Sequence, residues 1–407
     1  MASTNGHTAN EESLSLITQI QALASRLSNP DDVDARKQCL QLSKALTVQL
    51  EQPENIAVDM AFAPMVATSA RIAVDLNLFA HIVRANAPIT AARLAAVSGA
   101  EELLIVRILR LLAAVHFVHE VAPQTWTATR ITHAMATEEI AAGHRMVSRL
   151  IVPAMQSAPA YFHERGYRCP FDPTDGLMQY AFGSKQSTFD RIAADPALLR
   201  DFNTFMGNTM GARKYWVDWY PVQERILDGF AAVSAAAALL VDVGAGKGHD
   251  LLAFRARFPD AGGRLVLEDL PAVIDGLKEV EGQGHPAIET VPYDFFTEQP
   301  VVGARVYFYH HILHDWSDPY CLRILTQVAA AMTPGFSKLL VHEIIVSDQR
   351  AAQFQAQFDM TMMAFNAGIE RTRVQWQTLL EAAGLTVVGV WDSVDEGGDG
   401  IVEAMKL

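Results

Sequence analysis

The stretch from Val306 to Pro319 reads Val-Tyr-Phe-Tyr-His-His-Ile-Leu-His-Asp-Trp-Ser-Asp-Pro, and its last histidine, His314, stands where a proton could be taken. A run of strand character leads into it. Asp318 followed by Pro319 reads as a helix start, with Asp at the N-cap and Pro at the first helical position. His314 is therefore expected in the loop between a buried strand and a helix. An imidazole has a reference pKa near ~6.5, close enough to working pH to remove a proton from a phenol or an alcohol. Two acids could reach the same space: Glu343, at the end of the strand Lys338 to His342, and Glu370, after Asn366, Ala367, Gly368 and Ile369. Either would orient the imidazole and stabilise its protonated form, as the third member of a triad does. Taken singly, such a histidine is as readily a satisfied structural residue, and such a carboxylate a solvated one. His310, His311 and His314, at i, i+1 and i+4, also raise a metal site. A strand end and a loop are not expected to converge them as HExxH does on a helix, and no second ligand group stands out, so no metal is expected.

Three markers upstream describe a ligand beside this base. The run Val241-Asp242-Val243-Gly244-Ala245-Gly246-Lys247-Gly248 is a glycine-rich turn after a strand, where main-chain N–H groups come close to a ligand. A dinucleotide turn wants GxGxxG, whereas here the third glycine comes one residue early and Asp242 stands two before the first. Lys247 is followed by Gly248 rather than Ser or Thr, so this is no Walker loop. Next, Leu265 to Glu268 ends at Asp269, followed by Leu270 and Pro271, and a carboxylate there is placed to accept hydrogen bonds from both hydroxyls of a ribose. Third, in Tyr293-Asp294-Phe295-Phe296 an acid and an aromatic could hold the amine and the face of an adenine. In this order the three describe a nucleoside site without a phosphate-binding lysine.

The elements that must position these residues alternate after Ala231: a strand Ala238 to Val243, a helix from about Asp250 to Arg257, a strand Arg264 to Glu268 and a helix near Ala272 to Leu277. Such alternation is the signature of a parallel sheet covered by helices, with ligands at the C-terminal strand ends. This assigns residues 231–407 to an α/β domain. Before it, residues 137–230 are helical and rich in Met and aromatics, among them Met155, Tyr161, Phe162, Met178, Phe202, Phe205, Met210, Trp216 and Trp219. Individually these suit a helical core; as a group they could line an apolar pocket. Residues 1–136 form the third region. In it Leu16, Ile20, Leu23 and Leu27 mark an amphipathic stripe that wants a partner. Thr90 caps a helix that Gly99 ends, a second helix runs from about Glu101 to Ala114, and β-like runs follow at Phe117 to Val121 and Thr125 to Thr129. Two helices and a small hairpin make a winged-helix shape, expected here to dimerise rather than to read DNA.

Composition narrows the classes. A chain of 407 residues has room for two or three domains, and its apolar residues come in short interrupted runs rather than the ~18 or more that cross a bilayer. The polar N-terminus, Met1 to Glu12, carries no expected signal or transit peptide, which points to the cytosol. Cys39, Cys169 and Cys321 form no CxxC pair, and a net charge of −14 argues against nucleic acid as substrate.

Together these residues resemble the metal-independent small-molecule O-methyltransferases, the family of plant caffeic acid and flavonoid methyltransferases and of many fungal secondary-metabolite enzymes. The resemblance spans nearly the whole chain: the glycine motif, Asp269-Leu270-Pro271, the His314-Asp315-Trp316-Ser317-Asp318 block, His342-Glu343, and Gly368-Ile369-Glu370-Arg371-Thr372. It implies a Rossmann-like class I methyltransferase domain with S-adenosylmethionine as cofactor and an N-terminal winged-helix dimerisation domain whose helices interlock in a homodimer. It implies His314 as general base flanked by Glu343 and Glu370. For the cofactor it implies Gly244 and Gly246 at the methionine part, Asp269 and Leu270 at the ribose, Asp294 and Phe295 at the adenine, and His310 as a further contact. Met210, Met362 and Asn366 match acceptor-pocket positions and suggest a flat, apolar, aromatic or polyketide-type acceptor. Plant members commonly carry Lys-Trp where this chain has His310 and His311, which leaves a cofactor contact and a pocket wall open.

The implied reaction is an in-line displacement, His314 taking the hydroxyl proton as the oxygen attacks the methyl carbon. Two rivals stand beside it. Some fungal relatives use the bound cofactor for pericyclic or dehydrating steps, a reading that replacement of the His in the His-Asp-Trp block would favour and that its presence here disfavours. The other is a winged-helix regulator that senses a ligand, against which a complete base-and-acid set argues.

Overall fold

In a computed structural model the described residues are 2–207, 215–230, 237–279, 288–392 and 398–407. They form two compact units, Met1–Thr137 and Glu138–Leu407.

The first unit begins with helices that include Val33–Leu50 and Pro53–Asp75. The latter is long and apolar enough, by length and composition, to cross a membrane. The expectation that no such segment exists overlooked it, because Glu54, Asp59 and Pro64 break the run without lowering its mean. Val58, Met60, Phe62 and Met65 on it are exposed in the single chain. Thr90 caps the helix Ala91–Ser98 by accepting from the Arg93 N–H, and Gly99 closes it at φ +74. The helix Glu102–Ala114 follows, buried along Ile105, Ile108, Leu109 and Leu112. Strands Ile89–Thr90, Thr125–Ala128 and Val118–Ala122 make a three-stranded antiparallel sheet, with Trp126 buried beneath it.

In the second unit the expected alternation holds. An eight-stranded sheet runs in the spatial order Thr386–Trp391, Asp399–Met405, Lys338–Val346, Val306–His310, Ala238–Val243, Arg264–Asp269, Ile288–Pro292, with Arg371–Thr372 also pairing onto Lys338–Val346. The central strands are parallel; Asp399–Met405 is antiparallel to both its neighbours. Both faces are covered, which is why Ala238–Val243 and most of Val306–His310 are buried throughout. Period-two alternation divides their side chains: Val241, Val243, Tyr307 and Tyr309 pack with Ile324, Val328 and Trp376, while Leu240, Val306 and Phe308 pack with Trp216, Leu251 and Phe254. Each fully buried side chain of this size contributes roughly 1.5–3 kcal/mol.

Most of the Met-and-aromatic segment goes into a core of its own. Met155, Tyr161, Phe162, Met178, Phe202 and Phe205 cluster with Ala364 and Phe365 of the helix Gln353–Asn366. Trp216 and Trp219 pack on the sheet instead.

Candidate active site

The strand Val306–His310 delivers its successor residues to the C-terminal edge of the sheet, where Leu313–Asp315 makes one turn of 3-10 helix before the helix Asp318–Ala331 begins. The helix cap differs from the expected one. Ser317 occupies the N-cap, and Asp318, one residue inside, accepts from Arg371 Nε and Nη2 at 2.9 and 2.8 Å. A buried guanidinium outbids a cap N–H for a carboxylate. The same Arg371 also donates to the carbonyls of Leu313 at 3.1 Å and Trp316 at 2.8 Å, clamping both ends of the turn that carries His314.

His314 and its two expected acids converge. Nδ1 of His314 lies 2.7 Å from Glu370 Oε1 and 3.4 Å from Glu343 Oε2, and all three side chains are buried. Glu343 has a second task, since its Oε1 accepts from the N–H groups of Ile312, Leu313 and His314 at 3.0, 2.9 and 3.4 Å. Glu370 is set by its own N–H, which donates to Asp359 Oδ1 at 2.9 Å. Asp315 stands on the other side, its Oδ1 3.7 Å from His314 Nε2. Burial alone would depress the imidazolium of His314, but Glu343, Glu370 and Asp315 outweigh it and hold it well above the ordinary histidine value. Burial also pushes Asp315 up to about 7 and raises Glu370 against the pull of His314. With three acids around one ring, the shared proton belongs on the imidazole.

The cofactor-side residues line the neighbouring strand ends. Gly244 turns at φ +75, and a Cβ there would sit 2.5 Å from Ile312, so only glycine lets the turn pass under the loop of the base. Gly246 has φ +55 and faces open space. Its N–H donates to Asp269 Oδ2 at 2.7 Å, while Asp269 Oδ1 accepts from the Leu270 N–H at 2.7 Å. Each oxygen keeps a second lone pair for a hydroxyl. Leu270 is half exposed. Asp294 is exposed and accepts from the Phe296 N–H at 3.0 Å, and Phe295 meets Trp316 edge-on at 6.0 Å between ring centres. His310 Nδ1 lies 2.8 Å from Asp250 Oδ2. Burial opposes charge on His310, but Asp250 prevails and pushes it up to about 9. Asp242 Oδ2, Asp250 Oδ1 and His310 Nε2 are buried with no hydrogen-bond partner. Such unpaired acceptors and donors at a strand end, above a turn open to a ligand, fit a nucleoside carrying an amino acid.

On the acceptor side, Met362 and Asn366 are buried on the helix Gln353–Asn366, and Asn366 Nδ2 donates to the Asp315 carbonyl at 3.1 Å. Met210 lies outside the described residues.

The histidines do converge with acids, contrary to expectation. His310, His311 and Asp399 form one group and His314, Glu343 and Glu370 another, the nitrogen and oxygen atoms within each lying within 4.8 Å of one another. Strand pairing explains it: Asp399 pairs with Ile344 and His310 with His342, so residues 57 or more apart in the chain meet at one sheet edge. Asp250, Asp399, His311, Asp315 and Arg371 were not singled out from sequence as site residues. Only Asp250, one turn after the glycine motif, stood near enough to a motif to be found.

Comparison with known proteins follows this geometry. Residues 172–386 match the O-methyltransferase domain, and residues 58–138 the O-methyltransferase dimerisation domain. The chain is 58% identical over 398 residues to the O-methyltransferase penC of Penicillium thymicola, covering 98% of each, and 59% identical over 345 residues to the O-methyltransferase asqD of Emericella nidulans, covering 84% of this chain and 87% of that one. Among solved structures, LepI in complex with SAM matches with a TM-score of 0.85 at 28% identity, covering 98% of this chain and 100% of LepI. OxaC in complex with SAH and oxaline matches with a TM-score of 0.84 at 25% identity, again covering 98% and 100%. The nucleoside site, the Rossmann-like sheet and these matches converge: the chain belongs to the O-methyltransferase family, in its fungal secondary-metabolite branch, and is an S-adenosylmethionine-dependent O-methyltransferase.

Proposed function

We propose that this enzyme methylates a hydroxyl of a small, largely apolar aromatic or polyketide-type metabolite, with His314 as general base. The observation that carries the reading is the buried His314 with Glu370 at 2.7 Å and Glu343 at 3.4 Å, next to a turn open to a ligand. When bound, S-adenosylmethionine supplies an electrophilic methyl group. In this reading Gly244, Gly246, Asp269, Leu270, Asp294, Phe295 and His310 hold it, while Met210, Met362 and Asn366 bound the acceptor with walls from residues 137–230. Arg371 and Glu343 fix the turn, and Glu370 fixes the ring with Nδ1–H toward itself, leaving Nε2 to take the acceptor proton. Positioning of oxygen and methyl near ~3 Å apart supplies much of the acceleration, and proton removal adds roughly 10²- to 10⁴-fold. Residues 1–136 serve dimerisation in this reading, the exposed apolar side of Pro53–Asp75 and the stripe at Leu16 and Ile20 meeting a second copy in the cytosol. A net charge of −14 supports a small-molecule partner over nucleic acid.

The test is calorimetric titration with S-adenosylmethionine, a chelator present, followed by a panel of phenolic polyketides read by mass. His314→Ala is expected to keep cofactor binding and to lower turnover by at least about 100-fold; unchanged turnover would remove His314 from the mechanism. A second reading draws on a solved neighbour described as a pericyclic reaction enzyme, with a TM-score of 0.83 at 28% identity. Conversion of an acceptor without a gain of methyl mass would favour it.

A further inference from the structure

His311 is the neighbour of the base that neither the nucleoside site nor the acid pair accounts for. Its backbone sits in the left-handed region at φ +53, with its N–H donating to the His342 carbonyl at 3.2 Å. A residue with a Cβ adopts this conformation only where its surroundings demand it. Here the ring is laid on the face of His314, with centres 5.0 Å apart and planes 15° apart. Nε2 of His311 lies 3.0 Å from Asp399 Oδ1. Asp399 is only 4% exposed, and burial would raise it, yet His311, His342 and His310 hold it well below the ordinary carboxylate range. A buried carboxylate that stays ionised requires positive charge beside it, and His311 is in ion-pair contact.

The resting site poses a problem this pair answers. His314 is pressed by Glu343, Glu370 and Asp315 to keep a proton, and a base already carrying a proton accepts none. We propose that His311, paired with Asp399, is a positioning residue for methyl transfer: its imidazolium, against the face of His314, offsets the surrounding carboxylates and frees His314 to take a proton at working pH. This rests on the reading of His314 as base. Facing His314 are Asp315 on its own turn, Glu343 and His342 on the strand Lys338–Val346, and Glu370 with Arg371 behind it. Asp359 lies on the helix Gln353–Asn366, and His310 with its partner Asp250 flanks His311 on the other side. Of these, His342 is driven well below the ordinary value by burial and by His310, so it adds no charge. Two unit charges at the 5.0 Å separation of the rings shift each other by about two pH units at most in a partly shielded interior.

The experiment follows imidazole resonances of the full chain, labelled at histidine and free of ligand, as a function of pH, with His314→Gln assigning the His314 signal. His311→Ala is expected to move the His314 midpoint upward by about two units. Because that variant leaves Asp399 buried without its imidazole, the double variant His311→Ala/Asp399→Asn is measured beside it; it removes both charges and is expected to move the midpoint upward by about one unit. His311→Lys, which restores the charge, is expected to return the midpoint toward that of the unaltered chain. A midpoint that stays put in the double variant, or a lysine variant that behaves like alanine, overturns the proposal. Neither result bears on whether His314 is the base, which the turnover of His314→Ala decides separately.

Discussion

Replacing Glu370 by Gln removes the 2.7 Å partner of His314 Nδ1 while nearly preserving its shape. A hydrogen bond between charged, buried partners contributes about 1.5–3 kcal/mol, which corresponds to about one to two pH units of proton affinity on the imidazole. The folded-state pKa of His314 lies above its unfolded value, so the stability it contributes is fully present below pH ~6.5 and is lost as pH rises through the folded value. Glu370 itself is raised by burial, so keeping it ionised is a burden once His314 has lost its proton. Glu370→Gln should therefore destabilise the protein by about 1.5–3 kcal/mol at pH 6 and by much less, or not at all, above the folded value. Thermal unfolding followed by circular dichroism across pH 6 to 10, against the unaltered chain, reads this directly. An equal loss at both ends of the range, or a loss confined to alkaline pH, would refute the assignment of the shared proton to the imidazole.

Two further outcomes follow from packing. Gly368→Ala would put a Cβ 2.2 Å from the His314 carbonyl oxygen and 2.8 Å from the Asp315 carbonyl carbon. The turn must then shift, and turnover is expected to fall by about 100-fold with cofactor affinity, measured by calorimetry, nearly unchanged. Far from the site, Glu403 holds Tyr220, Arg225 and Lys338 at 2.8, 2.9 and 2.6 Å. Glu403→Gln should lower the unfolding free energy in urea by about 3 kcal/mol, while activity per folded molecule is retained.

Sequence reasoning reached the sheet because its strands are near-continuous apolar runs and its helices carry local start and stop residues, so that Ala238–Val243 and the cap at Thr90 fall where expected. It also reached His314, Glu343 and Glu370, because each sits just past the end of a strand or helix that a periodic pattern announces. Asp399 had no such announcement. It comes to His311 only through the antiparallel return of Asp399–Met405 onto Lys338–Val346, a pairing with no local signature. The Asp318 cap was misplaced for a related reason: the competing Arg371 lies 53 residues away and its reach cannot be read locally. The aromatic segment illustrates the opposite limit, since side chains suited to a pocket wall and to a core are the same side chains, and here the core claims most of them.

The turn that bears His314 is stitched to the far helix by main-chain and side-chain bonds alike: the Ile369 N–H donates to the His314 carbonyl at 2.9 Å, and Asn366 to that of Asp315 at 3.1 Å. The helix proposed to read the acceptor and the turn proposed to deprotonate it are thus one mechanical piece. Inheritance of new acceptor preference in such a scaffold cannot proceed freely through that helix. Changes near its C-terminal end disturb the proton-taking geometry, so drift toward other metabolites is channelled to positions one or more turns earlier, where Met362 sits, and to the helices packed against Phe365.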